Sequence, residues 1–171
     1  IATGETWTIE NLFDPAFVTE EPLCNAGETP IDCELRVNAP EVVFINFSAT
    51  VVNSQLQSFE ANLQILVDTA LNNGAIPVLM MIPGEQNISS DALLPYNEII
   101  FDTATNHPNH PDVDVPIWNT LQTVAPIGQN VLQAAPAGPV DFSPQALNFG
   151  INRINLIALN LMADFQTTFT N

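Results

Sequence analysis

Two short runs of apolar residues, at residues 42–47 and 76–82, are the clearest signal along the chain. Each run is nearly continuous rather than alternating, which predicts strands buried on both faces, as in a parallel sheet. Between them, apolar residues recur at spacings of three and four from Leu56 to Leu71, and the pattern stops at Asn72-Asn73-Gly74. The order strand, helix, strand predicts one βαβ unit.

The remaining pattern predicts three further elements around that unit. A second helix is expected over residues 91–105, a short third strand over residues 113–115, and a final helix over residues 151–165. Residues 126–144 are rich in Pro, Gly, Ala and Gln, which predicts a long loop over the carboxyl edge of the sheet. The first 35 residues are interpreted as an irregular approach to the sheet.

Composition and charge narrow the class of protein. The 171 residues are 46% hydrophobic and only 12% charged, so the chain can bury a core, and we predict a single α/β domain over residues 1–171. Nineteen acidic residues face two basic ones, Arg36 and Arg153, which gives a net charge of −17. This charge repels nucleic acid and anionic membranes, and no apolar run is long enough to span a bilayer.

The acidity itself has two interpretations. It can serve solubility, or life in an acidic or saline medium, or it can bind cations. The chain has no calcium-loop motif, and its acidic residues are scattered singly or in pairs. We therefore predict neither a dedicated metal site nor a cofactor.

Cys24 and Cys33 are the two cysteines of the chain and lie close together in a turn-rich segment. A disulfide is the natural pairing, and such bonds persist in oxidising compartments, which predicts an extracellular or cell-surface location. The alternative is half of a zinc site, although the two histidines, His107 and His110, lie far away in sequence.

Several strings occur along the chain in an order that is found in a known family. They are CNAGETPIDCEL at 24–35, NAPEVVFI at 38–45, GAIPVL at 74–79, YNEII at 96–100, VPIW at 115–118 and the segment 138–156. Together they resemble bacterial secreted hydrolases of the SGNH/GDSL type. The resemblance implies a three-layer, flavodoxin-like parallel sheet with a Ser-His-Asp site, in which a base activates the serine and backbone or amide donors hold the oxyanion.

The positions that match the family's catalytic motifs lack the required side chains. Gly4 matches the glycine that ends the family's second strand, which places the serine and the first strand upstream of residue 1. The family's Gly-Thr-Asn-Asp motif is replaced here by Ser48-Ala49-Thr50-Val51, so a hydroxyl stands in place of the amide donor. The family's Asp-x-x-His motif is replaced by Gly128-Gln129-Asn130-Val131, which has neither base nor acid. The resemblance therefore implies a non-catalytic domain whose sheet lacks its first strand.

Two histidines and two glycosylation sequons stand outside those motifs. His107 and His110 fall in a proline-rich turn, and we interpret them as exposed loop residues rather than as a substitute base. Asn87 lies on a predicted loop and is a candidate glycan acceptor. The sequon at Asn46 falls in a predicted buried strand and is interpreted as a chance match.

Three functions are compatible with these features. The chain can be a structural or assembly protein, as a subunit of an oligomer or filament. It can be a module that holds a carbohydrate or acyl group in a degenerate cleft, or an esterase completed by an upstream segment. The first is favoured by the missing catalytic residues, the disulfide, the absence of lysine and the high apolar fraction. A missing first strand would also leave the edge beside residues 42–47 unpaired, where we expect self-association, a partner strand or an upstream piece of the same precursor.

Overall fold

In a computed structural model of the chain, the structure describes residues 8–18, 23–84, 88–121 and 135–169. Within them lie the helices α1 (Pro30–Asn38), α2 (Leu56–Asn72), α3 (Ser90–Thr105) and α4 (Gly150–Phe169), and the strands β1 (Val42–Ile45), β2 (Ile76–Met80) and β3 (Ile117–Trp118). Short 3₁₀ helices occur at Ile9–Phe13, Pro15–Phe17 and Ala49–Asn53.

The three strands form one parallel sheet in the order β1-β2-β3. Val42 of β1 lies opposite Ile76 of β2, and Leu79 of β2 lies opposite Ile117 of β3. The segment from β1 through α2 to β2 is the βαβ unit that the apolar pattern predicts. The α/β class is thereby confirmed.

Helices cover both faces of this sheet because its side chains alternate between two apolar clusters. The larger cluster joins Ile45 and Leu79 to side chains of α1, α2 and α3. The smaller cluster joins Val78, Met80 and Trp118 to the partly buried face of α4, which contributes Ile154, Ile157, Ala158 and Leu161. The sheet therefore lies between two helical layers.

Helix α2 ends where its sequence predicts. Its buried side chains are those of the periodic pattern: Phe59, Leu63, Leu66, Val67 and Ala70. After the helix, the backbone N–H of Asn73 donates to the carbonyls of Thr69 and Ala70. Gly74 then takes a φ of +78°, a left-handed conformation that favours glycine.

Proline in a central strand normally removes a ladder hydrogen bond, yet Pro77 lies inside β2. The next residue but one, Leu79, donates its N–H to Pro116 on the β3 side. Backbone groups alternate between the two sides of a strand, so the nitrogen of Pro77 also faces the β3 side. Strand β3 begins only opposite Leu79, so Pro77 lies opposite no residue of that strand.

Three expectations from the sequence are wrong in position or burial. The first 35 residues are not wholly irregular, because α1 begins at Pro30 with Thr29 as its N-cap. The third strand lies at Ile117–Trp118 rather than at residues 113–115, since the N–H of Val115 donates to the end of α3. Among the described residues, strand β1 lies at the edge of the sheet, and its side chains at Val42–Phe44 are only partly buried, so it is not a strand buried on both faces.

Candidate functional site

The carboxyl edge of a parallel sheet is where ligands bind in open α/β folds. The segment Ser48-Ala49-Thr50-Val51 follows β1 there and forms the start of the 3₁₀ helix Ala49–Asn53. The Ser48 hydroxyl accepts the backbone N–H of Thr50 at 3.3 Å, and the Thr50 hydroxyl donates to the Ser48 oxygen at 3.2 Å. Ala49 is fully buried. The two hydroxyls thus cap a turn and bond to each other.

The carboxyl end of β2 is fixed by side chains from neighbouring elements. Asn97 on α3 is buried, accepts the N–H of Ile82 at 2.7 Å and donates to the Ile82 carbonyl at 3.0 Å. The Thr120 hydroxyl donates to the carbonyl of Met81. These contacts satisfy the backbone groups that follow a strand, and none of them uses an imidazole or a carboxylate. They hold the chain in place and supply no acid or base.

The two histidines belong to a polar cluster with Asp68 on α2. The His107 ring is buried; its Nδ1 accepts the N–H of Asn109 at 3.3 Å, and its Nε2 lies 3.3 Å from the Gln64 carbonyl. His110 Nε2 lies 3.1 Å from Asp68 Oδ1, and the Asn109 side chain donates to Asp68 Oδ2 at 2.7 Å. Nδ1 accepts a hydrogen bond, so the proton of neutral His107 sits on Nε2 and points at the carbonyl.

This histidine cluster lies at the amino edge of the sheet, away from Ser48. Helices α2 and α3 run from the carboxyl edge to the amino edge. Asp68 lies about one turn before the end of α2, and His107 lies just after the end of α3. The cluster therefore ties α2 to the loop after α3. The interpretation of His107 as an exposed residue is wrong, because only 1% of its surface is exposed. His110 is partly buried, with 26% of its side chain exposed.

Cys24 and Cys33 are joined in a disulfide, as the sequence predicts. Both sulfur atoms lie near the carboxylate of Glu28, but they are bonded to each other and so are not free to bind a metal ion. Arg36 Nε and Nη2 bind the two carboxylate oxygens of Glu28 at 2.6 and 2.8 Å, and Nη2 also donates to the Leu23 carbonyl at 2.8 Å. A covalent bond and a bidentate ion pair thus hold the same loop against α1.

Several predicted positions lie outside the described residues: Gly4, Asn87, Gly128 and Val131. The other sequon gives a correction. Asn46 is exposed and follows the last residue of β1, so it does not lie in a buried strand. The strand ends at Ile45, one residue before it.

No known protein family, curated protein or solved structure matches this chain. In the part of the chain that the structure describes, no helix is both long enough and apolar enough to cross a membrane.

The Glu28–Arg36 pair makes a prediction about pH. Hydrogen bonds from Arg36, and then from the backbone N–H of Asn25, lower the pKa of Glu28 from 4.5 to about 2. Since the folded-state pKa is depressed, the pair stabilises the fold above about pH 4.5, and this stabilisation is lost as the pH falls through about 2. We expect Glu28→Gln to lower the urea midpoint more at pH 6 than at pH 2.

The control for this experiment is Glu60→Gln, which removes an exposed acid on α2, a different helix from that of Arg36. It should leave the difference between pH 6 and pH 2 unchanged. An equal loss for Glu28→Gln at both pH values would contradict the assignment to the ion pair, because that loss would not depend on the carboxylate charge.

Proposed function

We propose that this chain is a non-catalytic protein of SGNH-hydrolase-like, flavodoxin-related architecture that acts outside the cell or at its surface. Its role is structural, as a subunit of an oligomer or filament. The observation that carries the proposal is the free side of β1, which pairs with β2 alone in the described part of the chain. Open strand edges are templates for pairing with another chain.

Strand β1 lacks two of the devices by which soluble proteins protect such edges, a charge and a proline within the strand. Val42–Ile45 contains no charge and no proline, and three of its four side chains are only partly buried. Natural edge strands are usually blunted by lysine, proline or a bulge. A strand without these features favours association.

The polar contacts at the carboxyl edge support the non-catalytic part of the proposal. The hydroxyls of Ser48 and Thr50 are hydrogen-bonded to each other. The side-chain amide of Asn97 is hydrogen-bonded to the backbone N–H and carbonyl of Ile82. Hydrolysis by a serine needs a base within hydrogen-bond reach of the hydroxyl. The histidines lie at the opposite edge of the sheet, beside Asp68.

The disulfide and the charge support the proposed location and partners. The Cys24–Cys33 bond favours an oxidising compartment, and the net charge of −17 disfavours nucleic acid and anionic membranes as partners. Another copy or a protein strand beside β1 fits better, and a glycan at Asn87 is compatible with secretion. No cofactor enters the proposal.

Sedimentation across a salt series tests the assembly role. Each subunit carries −17, so repulsion opposes association at low ionic strength. Adding salt shortens the Debye length from about 30 Å at 0.01 M to about 8 Å at 0.15 M. We expect the sedimentation coefficient to rise over this range, and a monomer at every salt concentration would refute the assembly role.

The same preparation tests the absence of catalysis. Short-chain acyl esters should not be hydrolysed above background, and Ser48→Ala should behave as the unsubstituted chain does. Turnover that disappears in Ser48→Ala would show that the chain is an esterase. Retention of a saccharide without turnover, in the absence of association, would instead favour a binding module.

A further inference from the structure

On the free side of β1, the backbone N–H and C=O groups are arranged so that two copies of this strand can pair with each other. The N–H of Ile76 donates to the carbonyl of Glu41, so the odd-numbered residues of β1 face β2. Because these groups alternate along a strand, Val42 and Phe44 present their N–H and C=O to the free side. Every second residue is therefore ready to pair with another strand.

Resting on the proposed assembly role, we infer that β1 pairs with β1 of a second copy of this chain, antiparallel, about a two-fold axis at Phe44. Phe44 then lies opposite Phe44 of the second copy. Val42 lies opposite Asn46, which follows the last residue of β1, so that pairing extends the strand by one residue. Each of these pairs exchanges two N–H···O bonds, the pattern of directly opposed residues in an antiparallel ladder. Two three-stranded sheets become one sheet of six strands.

Repulsion between the two Glu41 side chains favours antiparallel over parallel pairing of the two β1 strands. The strand itself is uncharged, and the nearest acid is Glu41, one residue before it. Parallel pairing in register would place the two Glu41 side chains on neighbouring strands, about 5 Å apart. Antiparallel pairing about Phe44 separates them by six residues, or about 20 Å, which exceeds the Debye length of about 8 Å at 0.15 M salt.

The side chains of the smaller apolar cluster become more exposed towards the β1 edge of the sheet. In the smaller apolar cluster, Val78 and Met80 of the central strand are 3% and 5% exposed, whereas Val42 and Phe44 of β1 are only partly buried. The side chains of α4 that pack on this cluster are also only partly buried. A two-fold axis perpendicular to the sheet places the second copy's equivalent cluster beside this one. The two half-covered clusters then become continuous across the axis.

The contact is self-complementary, so it closes after two copies. A filament built from this chain therefore needs a second, different surface. The inference thus predicts a discrete dimer as the species formed when salt is added.

Val42→Pro tests the pairing without breaking the subunit's own sheet. Proline at position 42 removes an outward-facing N–H, which edge strands tolerate. We expect it to raise the dissociation constant of the dimer at least about tenfold, by loss of ladder bonds and by steric block of the edge. The matched control is Val43→Pro, which removes a donor that faces β2 and should lower the unfolding midpoint instead.

A distance measurement covers the case in which Val42→Pro does not fold. No free cysteine occurs among the described residues, so Glu41→Cys provides a single site for a spin label. The two labels should report a Cα spacing of about 20 Å in the dimer. A different spacing, or a Val42→Pro chain that associates as strongly as before, would overturn the two-fold at Phe44 and leave the assembly role standing. A monomer at all salt concentrations would overturn both.

Discussion

Replacing Phe59 with alanine is expected to lower the free energy of unfolding by about 3 to 5 kcal/mol, the usual cost of truncating a buried phenylalanine. Phe59 lies on α2 and is fully buried in the larger apolar cluster. Its ring packs edge-to-face against Phe47 at 5.2 Å and against Tyr96 at 5.3 Å between ring centres. The substitution therefore removes contacts to the segment after β1 and to α3 at once.

Urea denaturation measures this loss, and Phe101→Ala is the matched control. Phe101 lies on α3 and is 52% exposed, so its truncation should change the free energy of unfolding by no more than about 0.5 kcal/mol. A loss below about 1.5 kcal/mol for Phe59→Ala would show that the cluster collapses into the space, or that α2 does not pack on the sheet as described.

Removing the disulfide is the second large effect that we expect. The bond closes a loop with a sequence separation of 9, for which the chain-entropy relation gives about 3 kcal/mol. The double substitution Cys24→Ala and Cys33→Ala should lower the free energy of unfolding by about that amount. Cys33 lies on α1 and is only 4% exposed, so the loss of its buried sulfur adds to the effect.

A reductant separates the bond from the packing. Reduction should lower the denaturation midpoint of the natural chain and leave that of the double-alanine variant unchanged. Equal midpoints of the natural chain with and without reductant would mean that the bond contributes nothing to stability. Intact mass before and after reduction, a difference of about two hydrogens, confirms that the bond was present.

The periodic part of the fold could be predicted because its cause is local. Helices α2 and α3 follow from apolar residues spaced to line one face, and β1 and β2 follow from apolar runs of strand length. Helix α1 is not predicted because Pro30 falls in the turn-rich segment between the cysteines, whereas proline at the first position of a helix favours its start. The position of β3 cannot be predicted from the apolar pattern because Val115 donates its N–H to α3, a tertiary contact that alternation does not encode.

The polar contacts of the candidate site were harder to predict because they join distant parts of the chain. The disulfide was predictable, since two cysteines nine residues apart leave few alternatives. The sequence gives a weak indication for Asn97, which is a polar residue on the buried face of an amphipathic helix, between Leu93 and Ile100. The contact between His107 and the Gln64 carbonyl depends on how α2 and α3 pack, which no spacing within the turn encodes.

The scarcity of basic residues has a consequence for proteolysis. Trypsin cuts after lysine and arginine, so this chain offers it only the bonds after Arg36 and Arg153. Both bonds lie inside helices, α1 and α4, and a helical bond must open locally before a protease can bind it. Arg36 is also held by Glu28 and the Leu23 carbonyl. The rates of the two tryptic cuts therefore report the local opening of two helices, α1 on one side of the sheet and α4 on the other. The cut after Arg36 leaves the Cys24–Cys33 bond intact within the fragment 1–36.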